Sequence, residues 1–360
     1  MNPGRSLIQL MLWFTLAFTA SQSFAVEAER ENVAAAVKEG KLYVYGSLDR
    51  TLAEVLVKEF EAGYPGIKVD FINMTAADVF SRNMNDLAGR RVSADILWNS
   101  DITLQAALVK GGYALPYRAA TGQIMPLANV ADTVFVNAFE PVVMAYNKKL
   151  VVAEELPVNR KQLLQLAGKA AWRGKIGTCD PEKSSLAFLL LTQDLAHGQN
   201  FWDMVARLGD AGLRLYPDYQ ALLEGLSGGE VMAGYNLPLS AVLKKAATDT
   251  NIGWLYTVDY TLVIPQSVLI AKAATHPHAA RLWIDFLFSP KAQQIIAENC
   301  DLFPVDPAVA GGDMKRRGGK LPPQPVLKVI GTGAEVTRFA ESGMKKSFLL
   351  RWKQKLHQGK

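Results

Sequence analysis

From residue 41 onward, short apolar runs alternate with longer stretches in which apolar residues recur every three or four positions. Lys41-Leu-Tyr-Val-Tyr45 reads as a strand that stops at Gly46-Ser47. Leu52, Val55, Leu56 and Phe60 share one face of a helix that ends near Gly63-Tyr-Pro-Gly66. Residues 67–72 read as a second strand, and a helix runs from Ala76 to about Leu87. Ala94-Asp-Ile-Leu-Trp98 is a buried strand, followed by a helix that carries Leu104, Ala107 and Leu108. Strands that alternate with helices in this way predict a parallel α/β sheet.

The pattern changes at residues 133–150, where Phe139-Glu-Pro-Val-Val-Met-Ala-Tyr-Asn147 reads as one long strand entering a second unit. That unit repeats the alternation. Strands are expected at 175–178, 213–216 and 231–235, and helices at 185–197, 200–208, 220–226 and 241–247. Residues 261–265 and 267–271 read as a strand returning to the first unit. Pro277 suits the first turn of the next helix, because the N–H it lacks has no partner there anyway. A helix at 291–298, a Gly- and Pro-rich linker at 310–325 and an amphipathic helix carrying Phe348, Leu349 and Trp352 complete the chain.

Composition narrows the class. The 360 residues suffice for two domains, and 49% hydrophobic with 20% charged residues marks a folded chain rather than a disordered one. Arg5, the apolar run Leu7–Thr19 and Ser23-Phe24-Ala25 form a secretory signal, so the mature chain is expected to begin near Val26, in the periplasm. The net charge of +5 is concentrated late, in Lys315-Arg316-Arg317 and Lys345-Lys346, with no nucleic-acid-binding motif beside it. Cys179 and Cys300 are the only cysteines, and their spacing is compatible with a disulfide and with two separate buried thiols. His276-Pro-His278 reads as a cap and a surface residue rather than a metal site. No nucleophile elbow, phosphate-gripping Gly loop or metalloprotease helix is present, which argues against an enzyme.

Taken together, Lys41-Leu-Tyr-Val-Tyr-Gly-Ser47, Ala94-Asp-Ile-Leu-Trp-Asn-Ser100, Thr178-Cys-Asp-Pro-Glu-Lys-Ser-Ser185, residues 276–293 and Leu302-Phe-Pro-Val305 resemble the extracellular solute-binding proteins of ABC importers. The branch they resemble includes ferric-ion and phosphonate-type receptors. The resemblance implies a type 2 periplasmic-binding-protein fold, α/β, with two lobes and two crossing hinge strands near residues 142–146 and 262–269. The expected domains are a signal peptide at 1–25, lobe 1 at 26–141 and 266–360, and lobe 2 at 142–265. It implies a monomer that binds no nucleic acid, captures a small anion such as a phosphonate, phosphate ester or carboxylate, and passes it to an inner-membrane ABC permease. A ligand-sensing adaptor for a membrane sensor is the alternative of another class.

Ligands of such sheets gather beyond the carboxyl ends of the strands. Candidate contacts are therefore Gly46, Ser47, Asn99 and Ser100 from lobe 1, with Asp180, Ser184 and Ser185 from lobe 2. Ser184 and Ser185 open a helix whose first turn offers free N–H groups to an anion, although a plain N-cap is the competing reading. Asp180 either meets the ligand or braces its loop. Tyr235-Asn236 occupies the place where ferric-binding relatives carry two adjacent tyrosines. The missing second tyrosine weighs against ferric ion as the solute, and Tyr235 would be the one ligand if iron were bound. Tyr235 and Asn236 are therefore further candidate contacts, with Tyr235 donating its O–H to an organic anion or stacking against it unless it merely packs at a strand end. No cofactor is expected.

Overall fold

The computed structural model describes residues 30–48, 50–119, 129–130, 132–299, 302–306, 308–309, 326–331 and 338–357. The expected signal peptide, Cys300 and the expected linker at 310–325 lie outside them.

Lobe 1 opens with helix α1 (residues 30–39), then β1 (Lys41–Gly46), α2 (Arg50–Gly63), β2 (Lys68–Asn73), α3 (Ala76–Ala88), β3 (Ile96–Asn99) and α4 (Ile102–Lys110). β1 lies between β2 and β3, parallel to both, as the alternation predicts. The short β4 (Asn129–Val130) pairs with the start of β5 (Val134–Asn147). At ~3.3 Å per residue a strand as long as β5 spans roughly 45 Å, enough to serve both lobes.

Lobe 2 follows with α5 (Arg160–Ala167), β6 (Ile176–Cys179), α6 (Ser185–His197), α7 (Phe201–Asp210), β7 (Arg214–Tyr216), α8 (Tyr219–Ser227), β8 (Ala233–Pro238), α9 (Leu239–Thr248) and β9 (Ile252–Leu255). β10 (Thr261–Ile270) returns to lobe 1 and pairs antiparallel with both β3 and β5. The sheet runs β2-β1-β3-β10-β5-β8-β6-β7, so β5 and β10 are the crossing strands. The strand expected over 261–265 and 267–271 is β10, with a register shift at Gln266/Ser267 beside Pro265, where the ladder tolerates a missing N–H. α5 and β9 have no counterpart in the sequence reading. Both are short.

α10 (Pro277–Leu287), α11 (Pro290–Asn299) and β11 (Phe303–Pro304) close lobe 1. Trp283 and Phe286 of α10 pack edge-on against Phe60, and Trp283 also meets Trp98. Three such rings with no exposure anchor that core, each contributing about 1.5–3 kcal/mol by burial. β12 (Leu327–Val329) then pairs with the first residues of β10.

The last helix, α12 (Ser342–Leu356), departs from the expected boundaries, which gave all of 266–360 to lobe 1. Its Phe348, Trp352 and Leu356, four residues apart, form an apolar stripe buried with Trp172, Phe188 and Phe201 in the lobe 2 core. α7 admits it because Gly209 has no side chain: a Cβ there would stand 2.5 Å from the Leu356 carbonyl oxygen.

Candidate functional site

The lobes face each other across a cavity of about 890 Å³. Lobe 1 contributes Ser47, Asn73, Thr75, Asp78 and Ser100, which lie at or just beyond the carboxyl ends of β1, β2 and β3. Lobe 2 contributes Gln220 and Glu224 of α8 with Ser240, Lys244 and Lys245 of α9. The crossing strands supply Glu140 and Gln266 as a floor.

Short-range geometry sets each group. The Ser47 hydroxyl accepts the Ser100 N–H at 2.9 Å, tying two loop ends together. Thr75 caps α3 by accepting the Asp78 N–H, and its own hydroxyl donates to the Asp78 carboxylate at 2.7 Å. α9 begins after Pro238, which offers no side-chain cap. Glu140 fills that role from β5: one carboxylate oxygen accepts the Ser240 N–H at 3.1 Å and the Ser240 hydroxyl, and the other accepts Gln266 Nε2 at 2.9 Å. A carboxylate at the start of a helix is favoured by the helix dipole. One turn further, Lys245 Nζ lies 2.8 Å from both oxygens of Glu224.

Of the residues expected from the sequence, Ser47 and Ser100 line this cavity. The others serve elsewhere. Gly46 lies under the Phe71 ring, which a Cβ would meet at 2.5 Å. Asn99 is wholly buried and holds the Ala76 carbonyl and the Asp101 N–H. Asp180 accepts the Glu182 N–H and so braces its own loop. Ser184 caps α6 through the Ala187 N–H, and Ser185 follows it as the first residue of that helix.

Tyr235 and Asn236 stand apart from the cavity. Two residues of β8 face one of β5 here, because Val143 pairs with Leu237 and Ala145 with Gly234. Asn236 takes φ +60 in this bulge. The bulge delivers both side chains to Asp194, a buried carboxylate of α6: Tyr235 donates at 2.7 Å and Asn236 Nδ2 at 2.6 Å. Tyr260 donates to the same carboxylate at 2.8 Å, and Arg160 Nη2 closes the ion pair at 3.1 Å. Arg160 Nε also donates to the Tyr235 oxygen at 2.6 Å. Burial pushes the Tyr235 phenol well above its ordinary value, with Asp194 adding to the rise and Arg160 opposing it.

Cys179 is a buried free thiol whose pKa burial raises, and its sequence partner Cys300 lies outside the described residues. The sequence reading missed Glu140, Gln266, Ser240 and the Lys244-Lys245 pair. Glu140 had a signal: it is one charge inside the apolar run of a strand expected to be buried on both faces.

Comparison with known proteins follows the same lines. Over 80 residues the chain is 35% identical to the phosphoglycerate transport regulatory protein PgtC of Salmonella typhimurium, a match that covers 22% of this chain and 20% of that protein. The chain thus matches only about a fifth of the length of this curated relative. A crystal structure of the substrate-binding protein of an ABC transporter from Agrobacterium tumefaciens superposes with a TM-score of 0.79 at 27% identity, over 88% of this chain and 94% of that one. The periplasmic binding protein AfuA of Actinobacillus pleuropneumoniae, with exogenous fructose-6-phosphate bound, superposes at 0.67 and 18% identity over 88% and 98% of the two chains. The two-lobed periplasmic-binding-protein fold is therefore the fold of this chain. The sequence model of the bacterial extracellular solute-binding protein matches residues 41–299, a span that contains the crossing strands and every wall of the cavity, and the chain belongs to that family.

Proposed function

We propose that this chain captures a small organic anion between its lobes in the periplasm and hands it to an inner-membrane ABC permease. The signal peptide, expected to be cleaved near Ala25, provides the export route. The observation that carries the reading is the inter-lobe cavity itself, where α9 brings Lys244 and Lys245 to face the hydroxyls of Ser47, Thr75 and Ser100. Its volume suits a molecule of sugar-phosphate size. Ligand touching both walls favours the closed arrangement by its contacts to each, so capture and closure are one event. AfuA, bound to a sugar phosphate, and PgtC, named for phosphoglycerate transport, support an anionic solute.

Ferric ion fits less well. Tyr235, the one ligand expected from the sequence, is enclosed by Arg160 and Asp194 and holds its proton. A ferric ligand would have to be a phenolate.

Titration calorimetry with phosphate esters, phosphonates and carboxylates tests the proposal. Binding tighter than millimolar is expected for some of them. The double variant Lys244→Ala, Lys245→Ala should weaken it at least about tenfold, because a hydrogen bond to a charged group is worth ~1.5–3 kcal/mol. No binding across the panel overturns it. A second reading, a sensor that reports the solute to a membrane kinase, draws on the regulatory role in the name of PgtC. Solute uptake that persists after deletion of the gene, with loss of solute-induced transcription, would favour it.

A further inference from the structure

Many polar side chains of the cavity are bonded within its own walls, as the Ser47–Ser100, Thr75–Asp78 and Lys245–Glu224 pairs show. Asn73 Nδ2 adds a bond of 2.6 Å to the Leu48 carbonyl. Groups so engaged can meet a head group, but a space of about 890 Å³ also has apolar walls to fill. Met74 of lobe 1 and Leu186 of lobe 2 line it, and both are half-buried. Each is set by a helix start: Met74 precedes Thr75, the N-cap of α3, and Leu186 lies just inside α6, which Ser184 caps. Leu186, Leu189 and Leu190 share one face of α6, at spacings of three and four. Leu189 and Leu190 are 2% and 0% exposed, in a cluster that also holds Ile102 and Leu108 of lobe 1. Met74 and Leu186 pack against that same cluster. The apolar seam between the lobes therefore runs out into the cavity and ends there in one side chain from each lobe.

We infer that the solute carries an apolar carbon chain beside its acid group, and that Met74 and Leu186 hold the chain while the polar walls hold the acid. The inference rests on the anion-capturing reading above. A hydroxyl pressed against the Met74 thioether and the Leu186 methyls would give up its water for groups that cannot replace it. An alkyl chain gains by leaving water there. Because it touches a side chain of each lobe, every methylene it buries favours closure as well as binding. Met74 is unbranched and polarisable, so it adapts to chains of differing length.

The test is titration calorimetry on the mature full-length chain with methyl-, ethyl-, propyl- and butylphosphonate, and with the carboxylates from acetate to valerate. In the series whose head group binds, affinity should rise about threefold per methylene, or roughly thirtyfold from first member to last. The hydroxyl analogue 3-hydroxypropylphosphonate should bind at least about fivefold more weakly than butylphosphonate, which it matches in length. In the double variant Met74→Ser, Leu186→Ser the whole gain along the series should shrink to about threefold. Leu186→Met, which keeps an apolar chain at that place, should retain the wild-type slope. A thermal melt establishes that each variant is folded, and the wild-type slope decides even where one is not. A series that stays flat or falls overturns the inference and leaves the anion reading standing, as does an unchanged slope in the folded double variant. Absence of binding by every probe overturns both.

Discussion

Asn236 holds a left-handed backbone that costs a non-glycine residue about 1 kcal/mol, and it is kept there by the hydrogen bond from its own amide to Asp194. Around it, Arg160, Asp194, Tyr235 and Tyr260 satisfy one another in a site shut off from water. Removing the carboxylate would take the acceptor from Tyr235, Tyr260 and Asn236 and leave Asp259 as the one carboxylate on Arg160, so Asp194→Ala should lower unfolding free energy by about 3–5 kcal/mol in urea denaturation. Tyr235→Phe should lower it by about 1–3 kcal/mol and leave solute affinity within about twofold, because the hydroxyl serves the network rather than the cavity. Affinity lost in step with stability would place Tyr235 back in the cleft. At this scale the sequence was least legible. The sequence puts Tyr235-Asn236 at a strand end, whereas the two lie inside β8, and the bulge there decides where their side chains point. A bulge depends on the partner strand, which no local pattern reports.

Elements were far more legible, since strand and helix periods are local. α6 is found at its expected bounds, Ser185–His197, because Ser184 caps it and Gly198 ends it. β8 was placed about two residues early, since Val231-Met232 continue the apolar run into the turn that precedes it. α12 was legible as a helix but not as a part of lobe 2: its apolar stripe says that it packs, and not against what. Its docking predicts that Trp352→Ala costs about 3–5 kcal/mol by emptying a buried site, measured by thermal or urea unfolding. Gly209→Ala should also destabilise, by about 1–3 kcal/mol, because its Cβ meets backbone that cannot swing aside.

For the whole molecule, two α/β units followed from the alternation of elements and the long run at 133–150, and their two-lobed arrangement from the family resemblance. The cavity did not, because its walls come from residues as far apart as Ser47 and Gln266. The lobes also meet where Leu189 and Leu190 of α6 pack with Ile102 and Leu108 of α4, the helix that Asp101 caps through the Thr103 N–H. Asp101 is fully enclosed. Burial pushes its pKa above the ordinary 3.8, against the bonds from Thr103 and Leu104 that favour the charge. A carboxyl with a raised folded-state pKa contributes its full stability below 3.8 and loses it as pH climbs through the folded value. Asp101→Asn keeps a capping side chain and removes the titration. It should be more stable than the wild type near pH 7 and equal to it near about pH 3.5, as read by urea unfolding at the two pH values.

The seating of α12 has one more consequence. Helix α1 packs on lobe 1 through Val33 and Ala36, while the far end of the chain rides on lobe 2. Dyes attached near residues 30 and 357 are therefore carried by opposite jaws. Their energy transfer should change in a single step as solute is added, turning the ends of the polypeptide into a ruler for capture. Transfer that stays flat through a saturating titration would mean that the jaws do not move.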